Sequence, residues 1–178
     1  MDAGAHGRLI GYHRTNDAPT AQGDIVMDAI TPNTKADQHS HVVRPANMEW
    51  QKTRFPGCEM KPLLFDRQSG LVTALMRFAP GAVLPDHEHV KIEQTYVLEG
   101  RLIDKEGPDA GLAVGPGEFV WRPAGSRHVA WAPEGGLMLA MFQIPNKFHE
   151  RDGRVTDASG ADWESAWGRV LTDEANND

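Results

Sequence analysis

Gly81-Ala82-Val83-Leu84-Pro85-Asp86-His87-Glu88-His89-Val90-Lys91-Ile92-Glu93-Gln94-Thr95-Tyr96-Val97-Leu98-Glu99-Gly100 is the stretch on which the reading of this chain turns. Side chains on a strand alternate between its two faces, so His87 and His89 project from one face and form a chelating pair. Glu93 returns toward them if the backbone turns at Val90 to Ile92, after which Gln94 to Leu98 reads as a second strand closed by Gly100. Two imidazoles and a carboxylate lack one donor for a mixed nitrogen and oxygen site that holds a divalent first-row metal. Pro123-Ala124-Gly125-Ser126-Arg127-His128 supplies it, because the Pro/Gly turn delivers His128 at the head of a further strand, His128 to Ala132.

Outward from this core the chain reads as short strands cut by turns. Eighteen Gly and twelve Pro are dispersed among short apolar runs, too often for long helices, which predicts an all-β architecture. Strands are expected at Trp50 to Phe55, Met60 to Asp66, Leu71 to Phe78, Arg101 to Asp104, Leu112 to Val114, Glu118 to Arg122 and Leu137 to Ile144, the last suited to a barrel interior. In Leu71 to Phe78, Thr73, Leu75 and Arg77 share one face and Val72, Ala74, Met76 and Phe78 the other; both are partly apolar, so pattern leaves the inward face open. Met76, Phe78, Met141 and Phe142 read as core rather than pocket.

Both ends differ from this middle. Residues 1–41 read as an arm, poorly ordered or lent to a partner subunit, in which Asp24 to Ile30 suits a turn of helix or a short strand. His39-Ser40-His41 repeats the His-x-His spacing without a downstream carboxylate, and reads as a solvated strand start rather than a second metal site. Residues 42–145 form the expected barrel. In the extension 146–178, Trp163, Ala166, Trp167 and Val170 fall on one face of a short amphipathic helix capped by Ser159 or Asp162, with the tryptophans packing against the barrel or a second subunit.

At 178 residues the chain suits a single domain with a sizeable core. A formal charge of -7 without a Lys/Arg stripe argues against nucleic acid as a partner. No apolar run approaches the roughly 20 residues that cross a bilayer, so no membrane span is expected. Met1 to Gly7 lacks the basic start and apolar core of a secretory signal, and Cys58 is alone, which excludes an internal disulfide framework; together they fit a reducing cytoplasm.

Taken together, the two motifs resemble those of the cupins, jelly-roll barrels of the RmlC type. Gly81, His87, His89, Glu93 and Gly100 fit the first cupin motif without a gap, and Gly117, Pro123, Gly125 and His128 fit the second, whose terminal Asn is replaced by Ala132. Within the cupins, Trp50, Pro56-Gly57, Lys61 with Leu63, Thr73 with Arg77, and Tyr96 to Gly100 are similar to the ChrR-like group. That group is named for the zinc-binding domain of an anti-sigma factor and includes compact dioxygenases that cleave acetylacetone-like diketones and dihydroxyacetophenone.

The resemblance implies that His87, His89, Glu93 and His128 converge as metal ligands inside the barrel and leave about two adjacent positions of an octahedral ion open. Iron(II) is the preferred ion, with zinc, nickel or manganese as alternatives. A small substrate with two neighbouring oxygens, together with dioxygen, would then be the partners, and Glu93 could stay bound or act as base for enolisation. Arg77 is a candidate partner for a carboxylate or enolate, against the alternative of a strand arginine reaching solvent. Gln94, Tyr96 and Trp131 flank ligands, of which Tyr96 and Trp131 rank low as site residues. The competing functions are an isomerase or decarboxylase that uses the metal as a Lewis acid, and a zinc-binding ligand sensor or interaction domain. A homodimer or homotetramer is expected, since small barrels pair through uncovered edge strands.

Overall fold

The computed structural model describes residues 39–175. The arm expected over residues 1–41, including Asp24 to Ile30, therefore lies outside the described residues except for 39–41. A short 3-10 turn, Pro45–Asn47, precedes twelve strands: β1 Gln51–Lys52, β2 Cys58–Phe65, β3 Leu71–Phe78, β4 Ala82–Glu88, β5 Glu93–Gly100, β6 Leu102–Glu106, β7 Ala113–Val114, β8 Phe119–Arg122, β9 Arg127–Ala132, β10 Gly136–Gln143, β11 Lys147–His149 and β12 Val155–Thr156. One helix follows, α1 Trp163–Ala175. No helix among the described residues is long and apolar enough to cross a membrane.

The strands form two six-stranded antiparallel sheets, ordered β1-β2-β3-β10-β5-β8 and β12-β11-β4-β9-β6-β7. Between them lies a core of Phe55, Cys58, Phe78, Ala82, Val97, Leu102, Ala130, Ala132, Met138 and Phe148. Strand β3 buries Val72, Ala74 and Phe78 and turns Arg77 outward, which decides the face that alternation left open. Several outward side chains on the first sheet are apolar: Tyr96 pairs with Phe119 across β5 and β8, and Leu98 and Trp121 are also exposed.

Bulges and glycines set the register. Pro62 has no N–H to give the ladder, and the pairing of β2 with β3 shifts between Pro62 and Leu64. The pairing of β4 with β9 shifts between Leu84 and His87, immediately before the first histidine. Gly100 has φ 72°, and a Cβ there would stand 2.1 Å from the carbonyl oxygen of Gly135, so only glycine lets the two strand ends approach.

Helix α1 closes a second cluster in which Trp163 and Trp167 pack with Phe65, Val72 and Ile144. Asp162 is its N-cap, its Oδ1 accepting from the Ser165 amide at 2.9 Å. Of the expected apolar face, Trp163, Trp167 and Val170 pack inward, whereas Ala166 is exposed and Gly168 is buried in its place. Strands β11 and β12, three and two residues long, fall in the extension where only a helix is expected from sequence.

Candidate metal centre

His87 stands near the end of β4, His89 just beyond it and His128 on β9; all three are buried. His87 and His128 are direct partners in the ladder between β4 and β9, which sets their rings 4.5 Å apart, while His89 lies 5.0 Å from His87 and 5.1 Å from His128. One nitrogen from each ring lies within 4.8 Å of the other two, and among the described residues no other group of three or more metal-binding side chains does this.

Hydrogen bonds select the nitrogens left for a metal. Nδ1–H of His87 donates to the Pro85 carbonyl at 2.8 Å, and Nδ1–H of His128 donates to Asp104 Oδ1 at 2.8 Å. Nε2 of His128 and Nε2 of His89 are buried with no hydrogen-bond partner, and Nδ1 of His89 has only the Glu93 carboxylate nearby, at 3.3 Å. Leaving a buried polar atom unsatisfied costs about 1–3 kcal/mol. One nitrogen from each of the three rings, drawn together in this way, fits a cation there. Burial, reinforced by the neighbouring His128 and His89, lowers the pKa of His87 to about 3, so it is neutral and ready to ligate at ordinary pH. Three imidazoles in this arrangement suit a divalent first-row ion.

Glu93, the first residue of β5, sits beside this triad rather than within it. Its Oε2 lies 3.3 Å from His89 Nδ1 and accepts from Asn146 Nδ2 at 3.2 Å; its Oε1 accepts from Thr95 Oγ1 at 3.3 Å and lies 3.8 Å from Arg122 Nη1. Burial pushes its pKa up, but His89, His87 and the Arg122 guanidinium outweigh that and hold the carboxyl below the usual carboxylate range. Arg122 also donates from Nη2 to Asp104 Oδ1 at 2.7 Å, so one guanidinium stands between the two buried carboxylates.

Arg77 requires a correction. It lies on the outer face of β3, donates from Nε to Glu59 Oε2 at 2.9 Å and stacks over Trp50 at 4.2 Å, and it does not line the cavity by the histidines. The alternative reading, a strand arginine reaching solvent, is the one observed. Tyr96 and Trp131 do not line that cavity either. His39 and His41 are exposed and belong to no metal-ligating cluster among the described residues.

A cavity of about 90 Å³ opens beside His87, Glu93 and His128. Met76, Phe78 and Phe142, read from sequence as core, line it along with Leu84, Met138 and Phe148. Asp104, Arg122, Asn146 and Thr95 have no counterpart in the sequence reading. Asp104 closes the strand expected over Arg101 to Asp104, next to Lys105 and Glu106, and Asn146 lies past the second motif; neither has a spacing signal.

Two antiparallel sheets enclosing an imidazole triad define a cupin with metal-binding geometry. Residues 38–147 match the model of the ChrR cupin-like domain, and the chain belongs to that family. Among solved structures it is similar to an acetylacetone dioxygenase from Acinetobacter johnsonii, with 19% identity over 79% of this chain and 96% of that one and a TM-score of 0.60. It is also similar to a cupin-like protein from Ralstonia eutropha (25% identity, 67% and 75% covered, TM-score 0.52) and to an RmlC-like cupin from Shewanella frigidimarina (22%, 59% and 91% covered, 0.51). No curated protein matches the chain significantly.

Proposed function

We propose that this protein is an iron(II)-dependent dioxygenase that cleaves a carbon–carbon bond of a small diketone or hydroxyketone. The observation that carries the reading is the triad of buried imidazoles facing an apolar cavity: it offers ligands on one side and room for a substrate on the other. The likeness of its fold to an acetylacetone dioxygenase is in keeping with it. When bound, iron(II) would supply the redox chemistry and the adjacent positions at which substrate and dioxygen meet.

The chain's own residues do the rest. Asp104 fixes the tautomer and ring plane of His128, and the Pro85 carbonyl does the same for His87. Glu93 stays ionised under the influence of His89 and Arg122 and helps balance a dication, as a fourth ligand or a close anionic neighbour. Its low proton affinity favours that role over proton abstraction. Met76, Met138 and the phenylalanines exclude bulk water from the reacting substrate.

The test is oxygen uptake by protein loaded anaerobically with iron(II), across a panel of diketones and hydroxyketones. Consumption of one dioxygen per bond cleaved supports the reading. Absence of uptake across the panel overturns it, and turnover without oxygen consumption points instead to a Lewis-acid isomerase or decarboxylase.

A further inference from the structure

The cavity beside the histidines is walled by a loop from outside the two sequence motifs. Between β12 and α1 the chain turns through Asp157 to Ala161, and Asp157 organises the turn: its Oδ1 accepts from the Ser159 amide at 2.8 Å, the Ser159 hydroxyl at 2.6 Å and the Ala161 amide at 3.1 Å, and its Oδ2 accepts from Trp167 Nε1 at 3.0 Å. The loop's polar groups are thus engaged with one another. Asp157, Ala158 and Ser159 line the cavity, yet Ala158 is only half-buried and Ser159 to Ala161 are exposed, so a single layer of residues separates cavity from solvent here.

Arg54 straps this wall to the loop between β1 and β2, which contributes Thr53 and Phe55 to the same cavity. Its Nη1 donates to Glu150 Oε1 at 2.7 Å, and its Nη2 donates to Thr156 Oγ1 at 2.8 Å and to the Asp157 carbonyl at 3.2 Å. The guanidinium also lies over the rings of Phe55 and Phe148, at 4.4 and 5.3 Å. Among the described residues no lysine or arginine lines the cavity, so an anionic group on a ligand's outer end would meet no cation there. Its volume of about 90 Å³ falls short of the ~150 Å³ of an apolar cavity known to admit a benzene ring.

We propose that the loop Asp157–Ala161, strapped across the cavity by Arg54, sets the size of ligand this centre accepts and restricts it to small molecules without an anionic group or a phenyl-sized ring. The inference rests on the reading of His87, His89 and His128 as a metal centre with open positions, not on the reaction carried out there. Cobalt(II)-loaded protein titrated with imidazole and with 4-phenylimidazole, followed by visible absorption, tests it.

The parent protein should prefer imidazole by about tenfold or more, the discrimination a well-fitted apolar pocket achieves. Ala158→Leu, which pushes bulk inward, should weaken imidazole by about tenfold at unchanged cobalt affinity. Arg54→Ala should erode the preference. Equal affinities for the two probes in the parent, or the same preference in the parent and both variants, would overturn the proposal. A second measurement needs no metal: amide exchange over residues 157–161 should accelerate in Arg54→Ala, and unchanged rates there rule out the strap. Failure of diketone turnover alone would leave these readouts intact, so it overturns the dioxygenase reading and not this one.

Discussion

His128 and Asp104 share a hydrogen bond of 2.8 Å, from Nδ1–H to Oδ1, which leaves Nε2 as the ring nitrogen of His128 that can take a metal. Carboxylates behind metal-binding imidazoles fix the ring and raise its basicity. Asp104→Asn should therefore weaken metal binding by about 10–100-fold while the fold is kept. Competition with a chelating dye measures this directly, and an unchanged affinity would show that Asp104 is not a support of the site.

Arg122 stands between Asp104 and Glu93, and its removal leaves two buried carboxylates without their cation. Arg122→Met should destabilise the metal-free protein by about 3–5 kcal/mol, the usual cost of breaking a buried pair from one side. Urea unfolding reads the loss. A bound dication should restore part of it, so the gap between variant and parent should narrow on metal loading.

The histidines and Arg77 separate ligands from bystanders. His87→Ala or His128→Ala should abolish tight metal binding, whereas His39→Ala with His41→Ala should leave the metal content of the site unchanged. Arg77→Ala should leave both metal content and turnover unaltered and cost about 0.5 kcal/mol of stability, as exposed ion pairs do. Metal retention in His128→Ala, by elemental analysis after dialysis, would refute the triad.

Acid should weaken the metal-free fold through His87. Its pKa falls from 6.5 to about 3 because burial disfavours the cation, so the unfolded chain binds a proton across that window and the folded one does not. Stability is full above about pH 6.5 and declines as pH falls toward 3, by up to about 1.4 kcal/mol per unit. Glu93, also held low, adds to the loss below pH 4.5. A melting temperature independent of pH between 7 and 4.5 would contradict the buried neutral imidazole.

Ile144 takes φ 65°, is fully buried, and precedes the Pro145-Asn146 pair that reaches Trp163 and Glu93. A Cβ on Gly70, itself at φ 70°, would stand 2.8 Å from Ile144 Cγ1 and 3.0 Å from its Cα. Gly70→Ala should cost about 1–3 kcal/mol, from backbone strain together with the clash. A melting temperature equal to that of the parent would show that this corner can relax.

The frame of the molecule is readable wherever alternation or motif spacing bears on it. His87, His89 and His128 emerge from such spacing, and Leu71–Phe78 has the same bounds in sequence and structure. Reading stops where physics acts across strands. The outward turn of Arg77 depends on which face of β3 meets the second sheet, and both faces are partly apolar. Asp104, Arg122 and Asn146 matter through partners 18 to 53 residues away, and no periodicity marks such pairs. Strands of two or three residues, such as β11 and β12, are too short to display a period.

The ladder pairing of His87 with His128 also has a consequence for biosynthesis. A nascent chain halted before β9 carries His87 and His89 but not His128, so the triad is complete only after most of the barrel has been made. An ion held by all three histidines would clamp strands far apart in sequence, and its departure should loosen β4 from β9 first.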